Sequence, residues 1–242
     1  MSAVARYYND MYATHELDLD EQGNTFEKIS RLWRDIPGKT ALDGLDIGCG
    51  AGSVSEELVR RGHWVRGLDI MEEAIARARQ RGIEARVHDL DRALPFSDGS
   101  FDFVLALDIV EHVFDPLALL TEIRRVLRPS GFAIIMIPLH FDLRQRVRML
   151  RGRGVVNYEH LFYDKTCSPW TYFHIRLFTL QDVYDGLARS RLRIERQVFR
   201  PMIATGWPGI PGVIERMFTN PIWSKYRPSL FSSGVIVRVH AA

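Results

Sequence analysis

Cysteine is scarce in this chain: Cys49 and Cys167 are its 2 thiols among 242 residues, and they lie far apart in sequence. A disulfide framework is therefore excluded as the basis of the fold, which fits a reduced, cytoplasmic setting, and no metal-ligand spacing is present, so no bound metal is expected. An excess of one charge is missing too. The formal charge is +2, too small to argue for a nucleic-acid partner. Long hydrophobic runs are absent, since Phe132 to Ile137 is strand-sized rather than membrane-spanning, and no basic then apolar leader opens the chain. There are no internal repeats. At 46% hydrophobic and 26% charged, the composition suits one well-packed α/β domain over residues 1–242.

What is present centres on Leu45-Asp46-Ile47-Gly48-Cys49-Gly50-Ala51-Gly52 and the following Ser53 to Leu58. An apolar strand runs into three alternating glycines, which take positive φ and let backbone approach a ligand without a Cβ in the way. Ser53 and Glu56 have capping-box spacing, so a helix is expected to open there with its free N–H groups toward the turn. A dinucleotide fingerprint needs its third glycine at position 53, which is Ser, and no Gly-Lys-Ser/Thr closes a phosphate loop. An oxidoreductase is disfavoured accordingly.

In these residues the chain resembles class I S-adenosylmethionine-dependent methyltransferases. Further landmarks follow in order. Trp64 to Asp69 reads as a second strand, with Asp69 placed 17 residues beyond Gly52, near the distance at which an acid meets ribose hydroxyls. The alternative for Asp69 is the cap of a helix over Met71 to Gln80. Glu84 to Asp89 reads as a third strand, Phe103 to Leu107 as a fourth, Phe132 to Ile137 as a fifth after the turn Arg128-Pro129-Ser130-Gly131, and Leu192 to Phe199 and Val235 to His240 as the last two. Helices are expected from Asp115-Pro116 onward and over Thr179 to Ala188. The resemblance implies a Rossmann-like, seven-stranded, doubly wound sheet with its last strand antiparallel. It also implies S-adenosyl-L-methionine as cofactor, held by Asp46, Gly48, Gly50, Gly52, Asp69, Ile70, Asp89, Leu90 and Leu107.

Asp108-Ile109-Val110-Glu111-His112-Val113 lies just past the fourth strand, over the switch point where open α/β sheets bind ligands. Two insertions, 139–177 and 200–233, leave the ends of the fifth and sixth strands and are expected to form a lidded acceptor chamber. The first carries His140, Tyr158, Glu159, His160, Tyr172 and His174; the second carries Trp207, Phe218, Trp223 and Tyr226. A hydroxyl acceptor needs a base, and the expected order is His140, His174, then His112, with His112 fixing the loop. For residues 1–40, with tyrosines at 7, 8 and 12, the resemblance implies a helical lid over the cofactor, the alternative being a surface helix with aromatic packing; a helix capped by Asn24 and Glu27 is expected to turn Phe26, Ile29, Trp33 and Ile36 to the sheet.

Leu143, Val147 and Leu150 have helical spacing, so that face is expected to dock while Arg144, Arg146, Arg148, Arg151 and Arg153 stand outward, either solvated or drawing an anionic acceptor. The stretch Arg144 to Arg153, with Asp89-Leu90-Asp91 and Leu192 to Arg196, also resembles the bacterial MetW methionine-biosynthesis proteins. The expected function is methylation of a small-molecule acceptor at oxygen or nitrogen; the alternative is a cofactor-binding accessory protein acting through a partner enzyme.

Overall fold

The computed structural model describes residues 29–33, 38–155, 174–202 and 219–242. The tyrosines of the expected N-terminal lid, the Asn24 and Glu27 cap, Phe26, Ile36, Tyr158, Glu159, His160, Cys167, Tyr172, Trp207 and Phe218 lie outside the described residues.

The described elements alternate in chain order. They are β1 (Asp43–Ile47), α1 (Ser53–Arg60), β2 (Trp64–Asp69), α2 (Glu72–Gln80), β3 (Glu84–Val87), β4 (Phe101–Leu107) and a 3-10 turn (Val110–His112). After them come α3 (Pro116–Val126), β5 (Leu127–Pro138), α4 (Leu143–Leu150), α5 (Leu180–Arg189), β6 (Leu192–Pro201), α6 (Pro221–Tyr226), α7 (Pro228–Phe231) and β7 (Ser232–Ala241). The strands form one seven-stranded sheet ordered β3-β2-β1-β4-β5-β7-β6. Strands β1 to β5 pair in parallel, and β7 runs antiparallel between β5 and β6. The order reverses between β1 and β4, which puts the switch point at the carboxyl ends of those two strands.

Burial follows from the pattern. Strand β4 is apolar apart from Asp102 and covered on both faces, as a central parallel strand must be. Val104 and Ala106 join Leu120, Ile123 and Leu187 on one face, while Phe103 and Leu105 join Leu58, Ile75 and Phe132 on the other. Trp33 packs edge-on against Phe103 and Phe132, with ring centroids 4.9 and 5.4 Å apart, so the segment before β1 covers that second face as expected. Gly44 is required there. A Cβ on it would lie 1.9 Å from Cζ of Phe103, and the ring occupies the space that the missing side chain leaves.

Three local expectations are corrected. The Ser53 and Glu56 capping box does not form: Gly52, at φ 81°, holds the cap position, Ser53 is already helical, and Glu56 pairs with Arg60 at 2.7 Å. Strand β3 stops at Val87, because the chain turns at Asp89, whose Oδ1 accepts from Asp91 N at 3.2 Å. The turn expected at 128–131 is a bulge inside β5. Leu127 pairs with Phe101 and Phe132 with Phe103, and the residues between them loop out. From that bulge Arg128 reaches Asp102 at 2.6 Å and Asp43 at 3.0 Å, closing the edge of the sheet opposite the switch point.

Helix α4 also turns the other way. Arg144 and Gln145 are its buried residues, whereas Leu150 is 87% exposed. The cause is Asp142, which caps the helix through Gln145 N at 3.0 Å and pairs with the Arg144 guanidinium at 2.9 Å, both side chains buried. A paired arginine can go inside where an unpaired one cannot.

Candidate active site

The glycine turn after β1 is as tight as its sequence implies. Gly48, Gly50 and Gly52 have φ of 71, 50 and 81°, a region other residues occupy only under strain. Gly48 and Gly52 are also closed to a side chain: a Cβ on Gly48 would lie 2.7 Å from Cγ1 of Ile109, and one on Gly52 2.2 Å from Cδ1 of Ile83. The first contact joins the turn to the segment after β4.

Asp69 completes the turn from the end of β2. Its Oδ2 accepts from Gly50 N and its Oδ1 from Met71 N, each at 2.9 Å, so one carboxylate both caps the approach to α2 and clasps the turn. Burial raises its pKa, and the hydrogen bonds from Met71, Gly50 and Ile70 oppose that rise. Asp46 sits beneath the turn, 3% exposed, and accepts the Ser55 hydroxyl at 2.6 Å. Burial pushes its pKa up to about 7, against the Ser55 hydrogen bond, and the neighbouring charge of Asp69 adds to the rise. The Cys49 thiol is raised by burial and by both acids, which makes it unreactive at neutral pH.

Past β4, Asp108 adopts φ 50°, strained for a non-glycine residue, and the chain enters the 3-10 turn that carries Glu111 and His112. Residues 174–178 arrive from the far side of the first insertion. Ile175 N and Arg176 N both donate to Glu111 O at 3.1 Å, and His140 N donates to Phe178 O at 3.1 Å. This strap brings the three expected histidines together. Phe178 N donates to Nδ1 of His140 at 3.2 Å, so the His140 proton resides on Nε2 and is donated to Nδ1 of His174 at 2.9 Å. His174 then holds its own proton on Nε2, 3.9 Å from Oε1 of Glu111. His112 Nε2 stands at the same 3.9 Å from that oxygen, and its ring meets that of His174 edge-on at 4.8 Å.

The three histidines differ in their surroundings. His140 is buried, both ring nitrogens are engaged, and burial pushes its pKa down to about 4. It is held neutral, with Nε2 against Nδ1 of His174. His112 has the most open side chain of the cluster, 13% exposed against 5% for His174 and none for Glu111. Among the expected cofactor contacts, Ile70 lies partly exposed beside Asp69, Leu107 ends β4, and Leu90 packs on the core next to Asp89. Asp91 Oδ1 accepts from Phe114 N at 2.7 Å, which ties this loop to the one bearing His112. Sequence reading missed Ser55, Ile109 and Phe178, since none is chemically conspicuous.

Residues 45–135 match the family described as a methyltransferase domain. The ubiquinone biosynthesis O-methyltransferase of Xanthomonas campestris pv. campestris (strain B100) is 34% identical over 218 residues, a match covering 74% of this chain and 89% of that protein. The chain belongs to the class I S-adenosylmethionine-dependent methyltransferases. Several matches are shorter: with the ubiquinone biosynthesis O-methyltransferase of Caulobacter sp. (strain K31), at 36% identity, the methyltransferase matches 47% of the relative's length. In fold it is similar to a solved methyltransferase, a possible histamine N-methyltransferase from Thermotoga maritima, with a TM-score of 0.60 at 17% identity over 98% of this chain and 96% of that one.

S-adenosylmethionine, the family's cofactor, fits the residues present. The positive-φ turn offers backbone that approaches a ligand closely, and the Asp69 carboxylate, with backbone N–H donors from Gly50, Ile70 and Met71, retains capacity for a further hydroxyl hydrogen bond.

Proposed function

We propose that this methyltransferase places the methyl group on a hydroxyl oxygen of a small acceptor, with the glycine turn and Asp69 as the cofactor side and the cluster at Glu111, His112 and His174 as the acceptor side. The observation that carries the reading is the gathering of a buried carboxylate and two imidazoles next to the Gly48–Ile109 contact. Transfer to a hydroxyl differs from transfer to a thiolate or neutral amine in needing help with an O–H proton, and this cluster supplies groups suited to that task. The ubiquinone-biosynthesis role of the relatives suggests a ring hydroxyl of a quinone precursor as the acceptor class.

S-adenosylmethionine bound at the turn supplies a methyl group on a positively charged sulfur, which departs with the C–S electron pair. The protein's share is alignment and proton handling. Alignment alone can supply about 7 kcal/mol or more of the barrier reduction when donor and acceptor are held in line. The two insertions assist, since Pro138 ends β5 and Pro201 ends β6 on the edge of the sheet that carries the turn. We assign them, and the N-terminal segment, to walls and lid of the acceptor chamber.

The test is transfer of labelled methyl from S-adenosylmethionine to a panel of catechols, phenols, amines and thiols. Methyl ethers of the ring hydroxyls are the expected product. Transfer only to nitrogen or sulfur contradicts the reading, and cofactor binding without transfer to any of them returns the accessory-protein alternative.

A further inference from the structure

We propose that His140 is a positioning residue that fixes His174 as a hydrogen-bond donor at Nε2, so that His174 steadies the reacting acceptor oxygen while His112 takes its proton. The inference rests on the O-methylation assigned above and deepens it by dividing the work among the histidines. It starts from a group with no choice of role. The backbone N–H of Phe178 can only donate, and it is directed at Nδ1 of His140 at 3.2 Å. That nitrogen therefore presents its lone pair, the His140 proton sits on Nε2, and Nε2 donates to Nδ1 of His174 at 2.9 Å. With its Nδ1 accepting, the His174 ring carries its own proton on Nε2. His140 N also donates to Phe178 O at 3.1 Å, so the two residues are clasped by a bond in each direction and the relay has a fixed origin.

Burial supports the same assignment, since it pushes the His140 pKa down to about 4 and keeps that ring neutral. The donor end of the relay faces the acceptor side. His174 Nε2 stands 3.9 Å from Oε1 of Glu111, too long for a hydrogen bond, and a ring nitrogen of His112 lies within 4.8 Å of one on His174. An oxygen between two such nitrogens accepts from His174 and donates to His112 at about 2.8 Å on each side. His112 is the base by elimination. Of the three histidines, His140 has both nitrogens engaged, and His174 has one occupied by His140 and the other protonated. The side chain of His112 is also the most open of the three, at 13%. In transfer the acceptor O–H bond breaks toward His112, which gains the proton, as the oxygen bonds to the methyl carbon and the C–S electron pair leaves with sulfur. His174 keeps its proton and stabilises the charge that develops on the oxygen.

Sequence spacing hides the relay. His140 and His174 are 34 positions apart, and the strap whose Ile175 and Arg176 donate to Glu111 O brings them together.

The experiment labels the histidines of the full chain with the nitrogen isotope visible to NMR and reads which ring nitrogen of His174 is protonated, the spectrum of His174→Gln giving the assignment. It is run on the native protein, His140→Gln and His140→Glu. The Gln amide still accepts from Phe178 N and donates to His174, whereas the Glu carboxylate only accepts and draws the His174 proton to Nδ1. Protonated Nε2 is expected in the native protein and in His140→Gln, and protonated Nδ1 in His140→Glu. Methylation of the catechols should stay near the native rate in His140→Gln and fall by about a hundredfold in His140→Glu and in His112→Asn. Circular dichroism checks folding, and where His140→Glu does not fold the native and His140→Gln spectra decide. Protonated Nε2 in both upholds the relay even if no acceptor on the panel is methylated, a result that removes O-methylation alone. Protonated Nδ1 in the native protein, a folded His140→Glu that keeps protonated Nε2 or the native rate, or a native rate in His112→Asn overturns the proposal, even if O-methylation is observed.

Discussion

The backbone N–H of Gly50 donates to Oδ2 of Asp69 at 2.9 Å, so the glycine turn after β1 and the carboxylate after β2 form a single piece. The other oxygen holds Met71 N at the same distance. Asp69→Asn places an amide NH₂ against one of these N–H donors, and Asp69→Ala removes both acceptors. With hydrogen bonds to a charged group worth about 1.5–3 kcal/mol, either change should weaken S-adenosylmethionine binding by roughly ten- to a hundredfold. Calorimetry is the measurement, and native affinity in both variants would remove Asp69 from the cofactor site.

Asp46 gives the domain a pH dependence of known sign. Its folded pKa, pushed up to about 7 by burial, exceeds the ordinary 3.8, so the folded state binds this proton more tightly than the unfolded chain. The stability it contributes is fully present below the ordinary value and is lost as pH rises through about 7. Asp46→Asn can still accept the Ser55 hydroxyl but has no charge to bury. In urea unfolding, the variant should gain on the native protein between pH 5.5 and 8.5, by on the order of 2 kcal/mol. An unchanged difference between the two pH values would contradict the buried charge.

Arg144 and Arg151 should behave oppositely although they lie in one basic stretch. Arg144→Gln strands Asp142 in the interior and should cost about 3 kcal/mol or more, whereas Arg151 is exposed and its replacement should change stability by less than about 0.5 kcal/mol. Thermal melts of the two variants compare them directly. Equal melting temperatures would mean that the buried Arg144–Asp142 pair does not hold α4.

What the sequence displayed and what it hid divide along the range of the interactions. The order of strands, the glycine turn and the position of Asp69 were legible because each rests on local periodicity, a required positive φ or a fixed spacing. The partnership of Asp46 with Ser55 was not, because it joins a strand residue to the first turn of the next helix across the glycine turn, and no local spacing rule marks that pair. Helix α4 misled for a related reason: hydrophobic spacing orders its faces by apolarity alone, and the pair with Asp142 reverses the result. The histidines were recognised singly, but their order as His140, His174 and Glu111 depends on Phe178, a residue whose backbone does the positioning.

The central claim is that one site has two limbs, a cofactor limb at Gly50 and Asp69 and an acceptor limb at Glu111, His112 and His174. Single-turnover methyl transfer at rising S-adenosylmethionine, on one fixed catechol, separates them. The rate of Asp69→Asn should climb back toward the native value as cofactor saturates, whereas His112→Ala should stay slower by about two orders of magnitude at any cofactor concentration. Recovery of both variants at saturating cofactor, or of neither, would contradict the division.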